Sequence, residues 1–329
     1  MNLIIVGNGF DIAHGIPSRY SDFCNYLCSF EKTPRSFPEF PNFIHINSVS
    51  IEDRKKHKLI EQLEKYILRQ DLWNCFEEAL GRLDYEQLME DNSNYLLGYG
   101  DENWRDSANH DFQYMIQEEL SFVNDINYQL KRWIVSLDTS VKPLDFVNEI
   151  LNRCSHSPTL FLNFNYTDTL ERVYNIARQN ILYIHGKATE NTELILGHHD
   201  NTYQNNAVID TDKMSDDEFT EYCNYMMERD IRVIEAEEII GNYFISTYKD
   251  TKKYVMQNEM FFSQLYNCKM VFILGHSLSN IDFDYFQAVK YNVPLECMWY
   301  IYYYSQTDYN NALKLVENLK IQQYELKNY

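Results

Sequence analysis

The 329-residue sequence is poor in glycine (10), proline (7) and cysteine (7), and it carries 29 Lys and Arg against 49 Asp and Glu. So few glycines and prolines exclude collagen-like and low-complexity chains. The cysteines, at 24, 28, 75, 154, 223, 268 and 297, are odd in number, scattered, and form no Cys-x-x-Cys pair. That pattern speaks against a disulfide framework or a cysteine-rich zinc site and for reduced thiols packed as small hydrophobes. A formal net charge of −20 argues against a nucleic-acid coat, because a phosphate backbone is bound by clustered Lys and Arg. No apolar run approaches the ~20 residues of a bilayer span, so neither nucleic acid nor membrane is an expected partner. The opening MNLIIVGNGFD has no basic n-region and too short an apolar run for a signal peptide. The expected location is cytoplasmic.

What is present is core material: 45% hydrophobic residues, including 27 Tyr and 19 Phe, which excludes global disorder. At ~150 residues per domain the length suits about two domains, or one large α/β domain with insertions. Short apolar runs at Leu3–Val6, Thr159–Phe164, Ile181–Ile184, Leu194–Leu196, Met270–Leu274 and Met298–Tyr303 predict strands. Continuous runs such as LIIV and MVFIL suit strands covered on both faces, as in a parallel sheet.

Between the first two runs the periodicity is helical. Leu59, Leu63 and Ile67 mark one helix face; Ile116, Leu120, Val123, Leu130, Ile134 and Leu137 mark one longer helix; Pro143 opens another with Leu144, Val147 and Leu151 inward. A second helical block spans about 214–267, and the proline-bearing stretch 31–50 reads as an irregular loop. The sequence thus predicts an α/β protein. The expected sheet-bearing α/β core comprises 1–19, 153–205 and 268–329, with helical insertions at 20–152 and 206–267.

Several strand ends carry polar motifs. Gly7-Asn8-Gly9-Phe10-Asp11-Ile12-Ala13-His14-Gly15-Ile16-Pro17 reads either as a plain strand-to-helix turn or as a Gly-x-Gly turn whose amides meet a pyrophosphate. Asn163-Phe164-Asn165-Tyr166-Thr167-Asp168 puts Asn165 at a ligand-facing edge, while Thr167 or Asp168 can cap the next helix. His185-Gly186-Lys187 lies twenty residues beyond Asn165; a histidine there serves as a general base or as a packed core residue. Gly275-His276-Ser277-Leu278-Ser279-Asn280-Ile281-Asp282 follows a buried strand and suits contact with a nucleotide. Ser279 stands where a nucleophile elbow needs glycine, which disfavours a serine hydrolase. Gly197-His198-His199-Asp200 offers nitrogen and oxygen metal ligands, although adjacent side chains diverge along an extended chain. A polar strand-end turn is the plainer reading there, and no metal is assigned. Tyrosines in MWYIYYY (298–304) stack bases or pack a sheet edge.

In order and spacing these motifs resemble the sirtuin NAD-binding fold, with Gly7, Gly9, Gly15, Ile16 and Pro17 matching its first loop. More closely, GNGFDIAHGIPSRYSDF, FNYTDTLE, IHGK, LGHHD and GHSLSNID are similar to the bacterial abortive-infection AbiH family, from residue 1 to about 290. The resemblance implies a Rossmann-like, sirtuin-like module with NAD as ligand or substrate. Gly7, Asn8 and Gly9 would cradle the pyrophosphate, Asn165 and Asp168 would sit by the nicotinamide ribose, and His185 would take a ribose hydroxyl proton. Gly275 and Ser277 would meet the adenosine half. Phe10, Asp11, Gly15, Arg19, Gly186, Lys187, His276 and Asp282 complete the expected cofactor set, with His185, Asn165 and Asp168 catalytic.

The sirtuin zinc ribbon is missing, which makes peptide deacylation the least favoured reading. Ser18-Arg19-Tyr20 stands where sirtuins have Asp-Phe-Arg, and Asp11 stands where they have a small polar residue. The implied activity is NAD hydrolysis to nicotinamide and ADP-ribose in anti-phage defence, with a phage-derived trigger and a homo-oligomer as expected partners. Two alternatives remain: a non-catalytic NAD or ADP-ribose sensor or scaffold, and a metal-dependent nuclease using Asp11, His198, His199 and Asp200.

Overall fold

The computed structural model describes residues 1–29, 51–67, 72–73, 75–203 and 214–328; the loop expected over 31–50 lies outside them. Six strands form one sheet: β1 (Asn2–Val6), β2 (Thr159–Asn163), β3 (Ile181–Tyr183), β4 (Met270–Leu274), β5 (Met298–Tyr303) and β6 (Tyr324–Asn328). Their order is β3-β2-β1-β4-β5-β6, and every neighbouring pair is parallel. A 3-2-1-4-5-6 order places the ligand crevice of an open sheet outside the strands' carboxyl ends, where the order reverses. Here that point lies between β1 and β4.

Alternation along the strands builds two apolar layers. Leu3, Ile5, Leu162, Val271, Ile273 and Trp299 pack with Tyr285, Phe286 and Val289 of helix Phe283–Asn292 and with Ala312, Leu315 and Val316 of helix Gln306–Leu319. On the other face Ile4, Val6, Phe161, Phe272, Leu274 and Tyr300 meet Phe10, Val147, Ile150, Cys154 and Leu170. Burial on both sides is why β1 and β4 read as unbroken apolar runs.

Two expectations need correction, and one strand had no sequence signal. Leu194–Leu196 is not a strand: the Ile195 amide donates to the His185 carbonyl at 2.9 Å and its carbonyl accepts from the Tyr166 hydroxyl at 2.9 Å, isolated bonds that make no ladder. The long helix over 116–137 is two, Asp111–Leu120 and Phe122–Ser136. Between them the Ser121 hydroxyl donates to the Glu118 carbonyl at 2.7 Å, a local bond that competes with the helical ladder. β6 was not foreseen because YELKN has no apolar run; it is an edge strand carrying the charges of Glu325 and Lys327, as exposed edges commonly do.

The helix after Pro143 spans Asp145–Cys154 and buries Val147, Ile150 and Cys154, with Leu144 and Leu151 packed beside them. Leu59, Leu63 and Ile67 are buried as their spacing predicts. By compactness the chain divides into one unit of Met1–Phe23, Leu130–Leu196 and Lys249–Tyr329, which holds the sheet, and another of Cys24–Gln129 and Gly197–Tyr248, which is largely helical. Among the described residues no helix is long and apolar enough to cross a membrane.

Candidate functional site

The carboxyl ends of β1 and β4 are joined through glycine. The Gly7 amide donates to the Leu274 carbonyl at 3.0 Å, the Gly9 amide to the Gly275 carbonyl at 2.7 Å, and the Phe10 amide to the Gly7 carbonyl at 2.9 Å. A Cβ on Gly7 would lie 2.7 Å from the His276 Cα, and one on Gly9 would lie 2.8 Å from the Gly275 Cα. Gly275 itself has φ +63°, and its Cβ would stand 2.2 Å from the Phe10 nitrogen. These three glycines therefore let two strand-end turns pack backbone against backbone. The amides of Gly7 and Gly9 face protein carbonyls.

The rest of the first loop is braced internally. Asn8 is exposed, donates from Nδ2 to the Ser18 carbonyl at 2.8 Å, and accepts from the Ser18 hydroxyl at 2.6 Å. Phe10 is buried against His14 and Tyr174. Gly15 turns the chain at φ +81° in open space. Arg19 is exposed, and its amide donates to the Asp22 carboxylate at 3.0 Å.

Asp11 is 1% exposed and links this loop to the one after β2. Its carboxylate accepts from the Thr167 hydroxyl at 2.5 Å and the Thr169 hydroxyl at 2.7 Å, and the Asn165 side chain also bonds to it. Burial pushes the Asp11 carboxyl up to about 6; the bonds from Thr167, Thr169 and Asn165 oppose the rise and the charge of Asp168 adds to it. The folded state thus holds this proton more tightly than the unfolded chain. Stability falls as pH rises from about 4 to about 6, and the loss persists above that range. Asp11→Asn removes the ionisation, so its stability relative to the natural protein is expected to rise across this range by up to about 3 kcal/mol. Urea unfolding at several pH values checks this, and a difference independent of pH would contradict it.

Asn165 is buried, and its amide donates to the Asn163 Oδ1 at 2.9 Å. Its own Oδ1 is buried without a hydrogen-bond partner, a lone acceptor that a donor from a ligand would satisfy. Asp168 is half-buried at the start of helix Thr169–Tyr174; its carbonyl accepts from Glu171 and Arg172, and its side chain makes no capping bond.

A second cluster centres on Asp282, which precedes helix Phe283–Asn292. The fully buried Lys249 donates to Oδ1 at 2.9 Å. His185 Nε2 lies 3.5 Å from Oδ1 and His276 Nε2 lies 3.5 Å from Oδ2. The Leu278 amide donates to His276 Nδ1 at 2.9 Å, so the neutral His276 ring carries its proton on Nε2, toward the carboxylate. Burial alone would raise the Asp282 carboxyl; the charge of Lys249 and the approach of the His185 and His276 imidazoles override it and hold the group well below the usual carboxylate range. Phe164 meets both imidazoles edge to face, 5.2 Å from His185 and 4.3 Å from His276.

Other expected residues have local partners. Lys187 pairs with Glu171 at 2.6 Å, a carboxylate that also accepts from the Tyr183 hydroxyl at 2.6 Å. Gly186 turns at φ +85° beneath the Glu193 carbonyl. Ser277 is exposed, and its carbonyl accepts from Asn311 at 3.0 Å. His198, His199 and Asp200 belong to the other unit. There His198 is buried, His199 stacks on Tyr248, and Asp200 accepts from Thr202. Among the described residues no group of three or more His, Cys, Asp and Glu side chains is arranged to hold a metal ion, and the four ligands of the nuclease alternative are divided between the two units.

Lys249 and Thr169 escaped the motif reading, and Thr167 entered it only as a helix cap. A cap and a carboxylate clamp share one sequence signature, and a lone lysine gives no sign of a partner 33 positions away.

A family model described as Bacteriophage abortive infection AbiH matches residues 3–303. No curated protein and no solved structure matches the chain.

Proposed function

The chain belongs to the bacteriophage abortive infection AbiH family, and from that premise we propose that it acts in anti-phage defence by hydrolysing NAD to nicotinamide and ADP-ribose in a sirtuin-like, Rossmann-like core. The observation that carries this reading is the unpartnered Asn165 Oδ1 at the end of β2, beside the β3 end that presents His185. Asn165 is oriented by the Asp11 carboxylate, so it offers an acceptor to a ribose hydroxyl or to water. His185 serves as the base that takes the proton as water oxygen bonds to the ribose carbon and nicotinamide leaves with the bonding pair. Charge that develops on the ribose is met by the Asp11 carboxylate and the Asn165 oxygen.

Because the Gly7 and Gly9 amides and Lys187 have protein partners and the Asn8 side chain is bonded to Ser18, Arg19 and Ser277 are the exposed side chains of the set left to meet the phosphates and adenosine. The helical unit would receive a phage-derived trigger or mediate self-assembly.

Incubating the purified protein with NAD, alone and with extract of phage-infected cells, and resolving the products by chromatography tests the proposal. Equimolar nicotinamide and ADP-ribose are expected. Binding without turnover would favour the sensor; neither binding nor turnover in any state would remove NAD from the account.

A further inference from the structure

Asp282 is buried among two imidazoles and an ammonium. A buried carboxylate needs compensating charge or donors, and Asp282, ahead of helix Phe283–Asn292, meets groups from three separate segments: His185 after β3, His276 after β4, and Lys249 ahead of helix Thr251–Gln257. Without a fixed cation, a carboxylate this close to imidazoles would draw a proton onto a ring. An imidazolium cannot accept a further proton and is useless as a base. Lys249 is 1% exposed and contacts the same Oδ1 that faces His185. With Lys249 charged and the rings neutral, the cluster carries no net charge.

We propose that Lys249 is a positioning residue that neutralises Asp282, so that this carboxylate orients His185 while leaving it a neutral imidazole. The assignment of His185 as the base rests on the NAD-hydrolase reading; the charge relation does not. The rings of Phe164, Tyr166 and Tyr285 also pack on His185, at 5.2, 6.2 and 5.9 Å, and as neutral rings they supply no competing formal charge. Near Lys249, Thr251 donates to Asp284 at 2.5 Å, and Tyr254 feels the charges of Lys249, Asp250 and Glu193. A purely structural ion pair would stabilise the fold without governing the proton on His185.

The test follows histidine ring resonances of isotopically labelled full-length protein across about pH 5 to 9, with His185 identified by its loss in H185Q. K249M is expected to raise the pH at which His185 titrates by about one unit or more, K249R to leave it near its natural value. The acid limb of nicotinamide release should move with it. An unmoved His185 titration in folded K249M overturns the proposal. Should K249M fail to fold, D282N carries the test with opposite sign: His185 then titrates at lower pH, and no shift overturns the proposal equally. A natural protein that never releases nicotinamide would defeat the hydrolase reading, while the ring titration would still decide the role of Lys249.

Discussion

Replacing Gly275 with alanine is expected to cost about 3 kcal/mol of stability or more, and to disturb every residue of the candidate site that depends on the β1–β4 joint. Two terms add. A non-glycine residue in the left-handed region costs roughly 1–2 kcal/mol, and forcing atoms into a filled space costs about 1–3 kcal/mol. Both apply here, because Gly275 has φ +63° and its added Cβ would lie 2.2 Å from the Phe10 nitrogen and 2.4 Å from the Gly9 carbonyl carbon. Those are backbone atoms, so no side chain can rotate away; one turn must separate from the other. Gly15→Ala is the internal control. It has φ +81° with nothing within 4 Å of the new Cβ, and should cost only the conformational term. Denaturant unfolding of both variants measures the difference, and equal losses would show that the two turns do not pack as described.

His185→Ala is expected to reduce nicotinamide release by about 10²–10⁴-fold, the usual contribution of a positioned acid–base group. The loss should fall on kcat and kcat/KM together, since a base works in the transition state rather than in substrate binding. The fold should persist, because Lys249 and Asp282 remain paired at 2.9 Å after the ring is removed. Circular dichroism and NAD affinity serve as controls. An undiminished rate would remove His185 from the chemistry and leave it as packing beneath Phe164.

Much of the sheet was legible beforehand because burial on both faces writes itself into strands as continuous apolar runs. LIIV, TLFLN, MVFIL and MWYIYY all became strands. β6 was hidden because an edge strand needs no such run, and LIL at 194–196 misled because three apolar residues say nothing of a hydrogen-bonding neighbour. The family resemblance was legible from short motifs, and the match extends to residue 303, past the 290 that the motifs reached.

The glycines show where linear reading stops. Six of the ten, at 7, 9, 15, 186, 197 and 275, fall in the motifs expected at strand ends; five of them follow β1, β3 or β4, and Gly197 follows a segment that is not a strand. That Gly7, Gly9 and Gly275 face one another, with amides on protein carbonyls, depends on which strands lie side by side.

Composition and periodicity alone determined an acidic α/β chain, low in glycine, with polar motifs after β1, β2, β3 and β4. Tertiary structure decided which of those polar groups are neighbours. Asp11 met Thr167 and Thr169 across more than 150 residues, and Lys249 met Asp282 across 33. Local patterns report how a segment buries its own face, whereas the compensation of a buried charge is a contact between segments, which no local pattern encodes.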